Sequence, residues 1–328
     1  MAELVFGLAT SHTPMLTLES KRWSERAADD QKSKSLNLSD GRYVSYEQLA
    51  KENGAPYSEI ATEENFLKLE AAAQRALDRI SDGLEKAAPD VVIIVGDDQA
   101  ELFTLSNMPS ISIFYGDEIL THERHITERT PSWVGAVTKG YAMDAVHSFP
   151  GHSKFALEMV HGLIEEDVDI GAAAKVDDPY KAGFGHAYGF IIERLFKSRP
   201  IPVVPILLNT YYPPNAPTAR RCYEIGRKIA RIIEKSKSDL RVAVAASGGL
   251  SHFVVDEDLD RKVLNAIKEK DAETLKGLSR NELNSGSSEI LNWVMVAGIS
   301  EKLTNDWSEY YPGRRTPAGT GTGMAFTT

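Results

Sequence analysis

The sequence predicts an α/β domain of three layers, with a largely parallel central sheet and helices on both faces. Three observations predict it. Val91-Val92-Ile93-Ile94-Val95 is a continuous, β-branched apolar run, the pattern of a strand buried on both sides. Glu63–Ala88 repeats Phe66, Leu67, Leu69, Ala73, Ala76, Leu77, Ile80 and Leu84 at helical spacing, which marks a long amphipathic helix. Runs of these two kinds alternate along the chain, as they do when parallel strands are joined by helical crossovers.

The elements follow in order. Leu4–Ala9 is a short apolar run, read as a strand that delivers Thr10-Ser11-His12 at its end. Residues 19–62 are polar and carry the turn signals KSKSLNLSDGRY and KENGAP; they read as an inserted excursion, a possible lid, with a short helix at Tyr46–Asn53. The helix Glu63–Ala88 breaks at Pro89-Asp90 and leads into the apolar run at Val91, which ends in Gly96-Asp97-Asp98-Gln99. Further strands are expected at Ser110–Tyr115, Asp169–Ala174, Pro202–Leu208 and Leu240–Ala246. Helices are expected at His152–Glu165, Ala187–Phe196 and Thr218–Ser236, with mainly helical chain from there to about Leu303. The tail YYPGRRTPAGTGTGMAF is rich in Gly and Thr. Strand order does not follow from these patterns.

Bulk composition narrows the function classes. The 328 residues are 42% hydrophobic and 26% charged, enough for a sizeable core in one domain spanning 1–328. A net charge of −10, spread along the chain, argues against nucleic-acid binding, which needs a basic face. The one cysteine, Cys222, allows neither an internal disulfide nor a cysteine metal cluster. No signal-like segment and no run near ~20 apolar residues is present, so a cytoplasmic protein without membrane contact is expected.

In open α/β sheets, sites gather at the C-terminal strand edge. Three strands here end in chemically able residues: His12, Asp97-Asp98-Gln99 and Ser251-His252. His186 stands in a Gly-rich loop before a helix. A lone histidine is more often a hydrogen-bonded structural residue, and His122, His125, His147 and His161 are left as such. Ser251 beside His252 does not indicate a serine hydrolase, because no GxSxG elbow is present. GTGTG in the tail follows no strand and opens no helix, so it is no phosphate loop. Tyr211-Tyr212-Pro213-Pro214 reads as either a wall for a flat ligand or a packed turn, and Arg314 and Arg315 as a possible carboxylate holder.

Several of these motifs together resemble the LigB-type class III extradiol dioxygenases, over most of the chain. GLATSHTP resembles the family's first strand, where the histidine ligates iron; that implies His12. SSEILNWVMVAG resembles the helix bearing the ligand glutamate, which implies Glu289. AASGGLSH resembles the GGxSH signature, placing His252 beside the substrate. GFGHAYGF resembles the segment of the acid–base histidine, usually VDHG, and the role falls on His186. PGHSKFALEMVHGLI puts His152 near the pocket, and TPAGTGTGMAF resembles the 3-O-methylgallate-type members. One position departs: the second ligand histidine, in an NDH or PDH motif, is Gln99 here. Gln99 through its oxygen, Asp98, or an incoming His186 or His152 are the alternatives, as is weakened metal binding; Gln99 is placed first and Asp98 behind a ligand.

The resemblance implies Fe(II), O2 and a catechol-type aromatic acid (3-O-methylgallate, gallate or protocatechuate-like), with His186 as acid and base and His252 orienting the substrate. It also implies a homo-oligomer, expected as a dimer. Three rival readings stand beside it: a catalytically silent aromatic-acid-binding homologue or subunit, a dihydroxypyridine-type ring-cleaving dioxygenase, and a metallohydrolase.

Overall fold

A computed structural model describes residues 1–328. Its main sheet has eight strands: β1 (Glu3–Thr10), β2 (Val91–Asp97), β3 (Ile111–Phe114), β4 (Gly171–Ala173), β5 (Val203–Leu208), β6 (Arg241–Ser247), β7 (Ser308–Arg314) and β8 (Gly321–Thr327). They lie in the order β7-β8-β1-β6-β2-β5-β3-β4. The six longest helices beyond residue 60 are α1 (Glu63–Ala87), α2 (Ser153–Glu165), α3 (His186–Leu195), α4 (Ala219–Lys235), α5 (Glu257–Glu269) and α6 (Ile290–Ile299).

The three-layer expectation holds, and β2 shows why. Val91, Ile93 and Val95 enter one hydrophobic core, with side chains from α2, α4, α5 and α6. Val92 and Ile94 enter the other, with side chains from α1 and α3. Alternate residues of a strand face opposite sides, so a strand between two helical layers must be apolar at every position. Helix α1 starts where Thr62 Oγ1 accepts the Asn65 amide, with Glu63 and Glu64 in the first turn, as a helix N-terminus favours.

The centre of the sheet, β1-β6-β2-β5, is parallel throughout. The flanks are mixed: β3 runs antiparallel to β5 and parallel to the edge strand β4. The Gly/Thr-rich tail forms the hairpin β7–β8, which adds antiparallel to β1. Its glycines sit at close approaches. A Cβ on Gly321 would lie 2.0 Å from the Gly313 carbonyl oxygen, and one on Gly323 would lie 1.9 Å from Asp260 Oδ2. Glycine weakens a strand pattern in sequence, yet only glycine fits against these neighbours.

Residues 19–62 fold as the helix Trp23–Asp30, the small pair Leu36–Asn37 with Tyr43–Val44, and the helix Tyr46–Asn53. Asn37 fastens this segment to the turn after β6: its Nδ2 donates to the His252 carbonyl (3.0 Å) and its Oδ1 accepts from Phe253 N (3.0 Å). No helix is long and apolar enough to cross a membrane.

Candidate metal centre

The four central parallel strands end side by side, and each brings a side chain to one place. His12 follows β1, Asp97 closes β2, Tyr211 follows β5 and the turn Gly248–His252 follows β6. Glu289 ends the 3-10 turn that leads into α6, and His186 is the first residue of α3. The two helical layers thus supply one residue each to the strand edge where α/β sites form.

One donor atom from each of His12, Asp97, His186 and Glu289 lies within 4.8 Å of the others. His12 Nε2 is 3.1 Å from Glu289 Oε2 and 4.0 Å from Asp97 Oδ1. His186 Nε2 is 3.9 Å from Asp97 Oδ2.

Hydrogen bonds on the far side of each imidazole fix which nitrogen is free. Ser247 Oγ spends its single proton on the Ala187 carbonyl (2.6 Å), so it must accept from His12 Nδ1 at 3.0 Å. His12 Nε2 is therefore the ring nitrogen left to face Glu289. Glu101 does the same for His186: Oε1 and Oε2 lie 2.8 and 3.1 Å from Nδ1, leaving Nε2 toward the cluster. A carboxylate behind an imidazole is a frequent support for a metal-ligating histidine.

Glu289 is 2% exposed and fully engaged. Its Oε2 accepts from Gly249 N (2.7 Å), and its Oε1 accepts from Tyr211 Oη (2.7 Å) and lies 3.2 Å from His252 Nε2. Burial opposes its charge, yet His252 and His12 beside it hold its carboxyl well below the usual range. Burial, with Glu289 nearby, raises Asp97 above that range. His186 is pushed up to about 10: burial works against the proton, and Glu101 outweighs burial. This is a buried, carboxylate-rich donor set that wants positive charge. Two imidazoles with free Nε2 atoms and one carboxylate fit the facial donor set of a divalent iron, which would supply that charge and leave the imidazoles neutral.

The other residues singled out in the sequence divide. His252 Nε2 faces Glu289 and Tyr211 Oη (3.3 Å), beside the ligand group and outside it. Its Nδ1 donates to the Leu250 carbonyl at 2.8 Å. Gln99 is at the cluster but turns its amide nitrogen inward, donating to Asp97 Oδ2 (3.1 Å) and Glu289 Oε1 (3.3 Å). Two carboxylates facing this amide favour that orientation. His186 Nε2 lies 3.3 Å from this nitrogen, so the histidine expected as acid and base stands among the four groups whose donor atoms could hold a metal.

Asp98 turns away from the cluster. It caps the following loop by accepting from the amides of Glu101, Leu102 and Phe103, and burial lifts it to about 6. His152 is not near the pocket: its ring caps α2 and its amide binds the Val203 carbonyl at the start of β5, the opposite end of that strand from the cluster. Arg314 pairs with Glu257 elsewhere, whereas Arg315 reaches the site. Glu101, Ser247 and Tyr211 carry the site's orientation, and only Tyr211 was singled out in sequence, as a wall.

The cluster opens into a cavity of about 380 Å³, walled by Trp133, Tyr141, Tyr211 and Phe253 and reached by Arg26, Arg124 and Arg315. A second cavity, of about 250 Å³, lies along β1 beside Phe6 and Trp293 and contains no histidine.

A family model described as the catalytic LigB subunit of aromatic ring-opening dioxygenase matches residues 57–324. The chain belongs to the LigB family. Gallate dioxygenase of Pseudomonas putida is 27% identical to this LigB-family chain over 173 residues, 49% of this chain and 49% of that enzyme. The 2,3-dihydroxyphenylpropionate/2,3-dihydroxicinnamic acid 1,2-dioxygenases of Mycobacterium ulcerans and Xanthobacter autotrophicus are each 34% identical over 98 residues, 30% of this chain and 28% of theirs. The matches thus span about half the length of the first relative and less of the others. The match to the family model begins at residue 57, so most of the 19–62 segment lies outside it.

Proposed function

We propose that this LigB-family protein is a non-haem Fe(II)-dependent extradiol dioxygenase that uses O2 to open the ring of a catechol-type aromatic acid of the 3-O-methylgallate, gallate or protocatechuate kind. The observation that carries the reading is the meeting of His12, His186 and Glu289 donor atoms at the floor of an aromatic-walled cavity. These three would hold the iron, which would supply Lewis-acid activation of the ring hydroxyls and reactivity toward O2.

The chain's own residues supply the rest. His252 stands next to the ligand group with Nδ1 tied to a carbonyl, so Nε2 is the atom that accepts a proton from a ring hydroxyl and returns it later. Burial opposes its positive charge and Glu289 outweighs burial, which favours the protonated form once a proton arrives. Tyr211 Oη, between Glu289 and His252, fixes the carboxylate's orientation. Gln99 holds Asp97 and Glu289 in register from the side. The wall residues Trp133 and Phe253 exclude water from a flat substrate.

Gln99 also favours a second reading, a silent homologue that binds an aromatic acid. Anaerobic loading with Fe(II), followed by exposure to O2 with protocatechuate, gallate and 3-O-methylgallate, separates the two. The proposal expects O2 uptake matched by ring-opened product, absent from Glu289→Ala and from metal-free protein. Iron-loaded protein that binds these acids and consumes no O2 would establish the silent homologue.

A further inference from the structure

We infer that Arg26 and Arg315 form a clamp for the substrate's carboxylate, with Arg26 supplied by the inserted segment. Both line the cavity that holds His12, His186 and Glu289. Arg26 belongs to the helix Trp23–Asp30, and Arg315 follows β7.

Asp30 is the carboxylate they share. Arg26 Nη1 pairs with its Oδ1, and Arg315 Nε donates to its Oδ2 at 3.0 Å. Thr320 Oγ1 adds a further donor to the same oxygen at 2.8 Å. Two guanidiniums against one carboxylate leave one positive charge uncompensated (2 − 1 = +1). The next acid along, Asp29, is engaged by Trp133 Nε1 (2.8 Å) and Lys32 (3.3 Å).

The donors are also unfinished. Arg315 is 3% exposed; its Nη2 lies 3.0 Å from the same Asp30 Oδ2 without an aligned hydrogen bond, and its Nη1 meets only Met15 Sδ at 3.5 Å. Arg26 has no hydrogen-bond acceptor but Asp30. A buried guanidinium nitrogen with only a thioether beside it, as Arg315 Nη1 is, is costly, and a ligand anion would relieve that cost. The Arg26 guanidinium lies 5.3 Å from the Trp133 ring centre and 5.9 Å from that of Phe253, which holds the planar fork in place. A carboxylate on an aromatic ring is the anion whose shape matches such a fork. If the arginines served only to pin the inserted helix to the hairpin through Asp30, one of them would suffice.

This clamp deepens the dioxygenase reading and rests on it for the diol end of the substrate. The test reads binding without turnover. Iron-loaded protein is titrated anaerobically with 3,4-dimethoxybenzoate and with its amide, neither of which offers free ring hydroxyls. The wild type should bind the carboxylate at least about tenfold more tightly than the amide, as lost charge-assisted hydrogen bonds predict. Arg26→Gln should bring the two to within about twofold, and Arg26→Lys should keep part of the preference, charge without the fork. No preference in the wild type, or an unchanged preference in Arg26→Gln, overturns the clamp. Carboxylate preference without O2 consumption keeps the clamp and removes the dioxygenase; O2 consumption without the preference does the reverse.

Discussion

Replacing Glu101 by Gln tests whether His186 is a metal ligand. Glu101 lies 2.8 and 3.1 Å from His186 Nδ1 and also accepts the His186 amide at 3.3 Å. Gln keeps an acceptor and the side-chain size but removes the charge. Loss of an outer partner of a metal-bound histidine lowers affinity by about 10- to 100-fold, or about 1.4–2.8 kcal/mol. Burial opposes the Glu101 charge, and His186 with its hydrogen bonds overcomes this, holding the carboxyl below its usual range. The assay is an anaerobic Fe(II) titration against a competing chelator, at pH 7. If His186 is the ligand, Gln99→Ala should weaken metal much less, because the Gln99 amide nitrogen donates to Asp97 and Glu289. Unchanged affinity in Glu101→Gln, with loss in Gln99→Ala, would refute the assignment and return Gln99 to the ligand place.

Three further outcomes follow from the geometry. His252→Asn should lower kcat by about 10²- to 10⁴-fold, the range for a lost general acid–base; iron content should match the wild type, and iron loss would mean that His252 ligates. Gly189→Ala places a Cβ 1.8 Å from the Tyr141 carbonyl oxygen, which must push α3 and its first residue His186 outward. Urea unfolding should show about 1–3 kcal/mol of destabilisation together with weaker iron binding, and a fully stable variant would contradict this packing. Asp260 is raised by burial to about 6 despite accepting from Tyr310 and from Ser251. The fold binds its proton more tightly than the unfolded chain does, so its contribution to stability falls as pH rises from about 4 to about 6 and is flat above. Asp260→Asn should gain on the wild type over that window by up to about 3 kcal/mol, read by urea unfolding at several pH values; a pH-independent difference would contradict the shift.

What the sequence made legible follows from which signals are local. The β-branched run at Val91 and the helical spacing of Glu63–Ala87 are each written in neighbouring residues, so layers and helices were readable. The hairpin β7–β8 was not, because Gly321 is explained by a carbonyl on the paired strand and Gly323 by a carboxylate far away in the chain. The antiparallel turn of β3 against β5 likewise depends on strand order. In the site, His12 and Glu289 stood out through motif resemblance, and the cluster does bring them together. Gln99 drew attention because of its place after β2, whereas its amide faces two carboxylates that only the folded chain assembles. His186 joins the donor cluster with Glu101 behind its ring, a contact across 85 positions that no local pattern announces. His152 was misplaced for the opposite reason: its helix start is a strong local signal, but that start lies at the far edge of the sheet.

The central claim is oxygen insertion by an iron-loaded protein, and labelled oxygen tests it most directly. Iron-loaded protein turned over with protocatechuate, gallate or 3-O-methylgallate under ¹⁸O2 should yield a ring-opened product carrying both labelled atoms. Product formed without O2, or carrying oxygen from labelled water alone, would make the site a hydrolase and contradict the account.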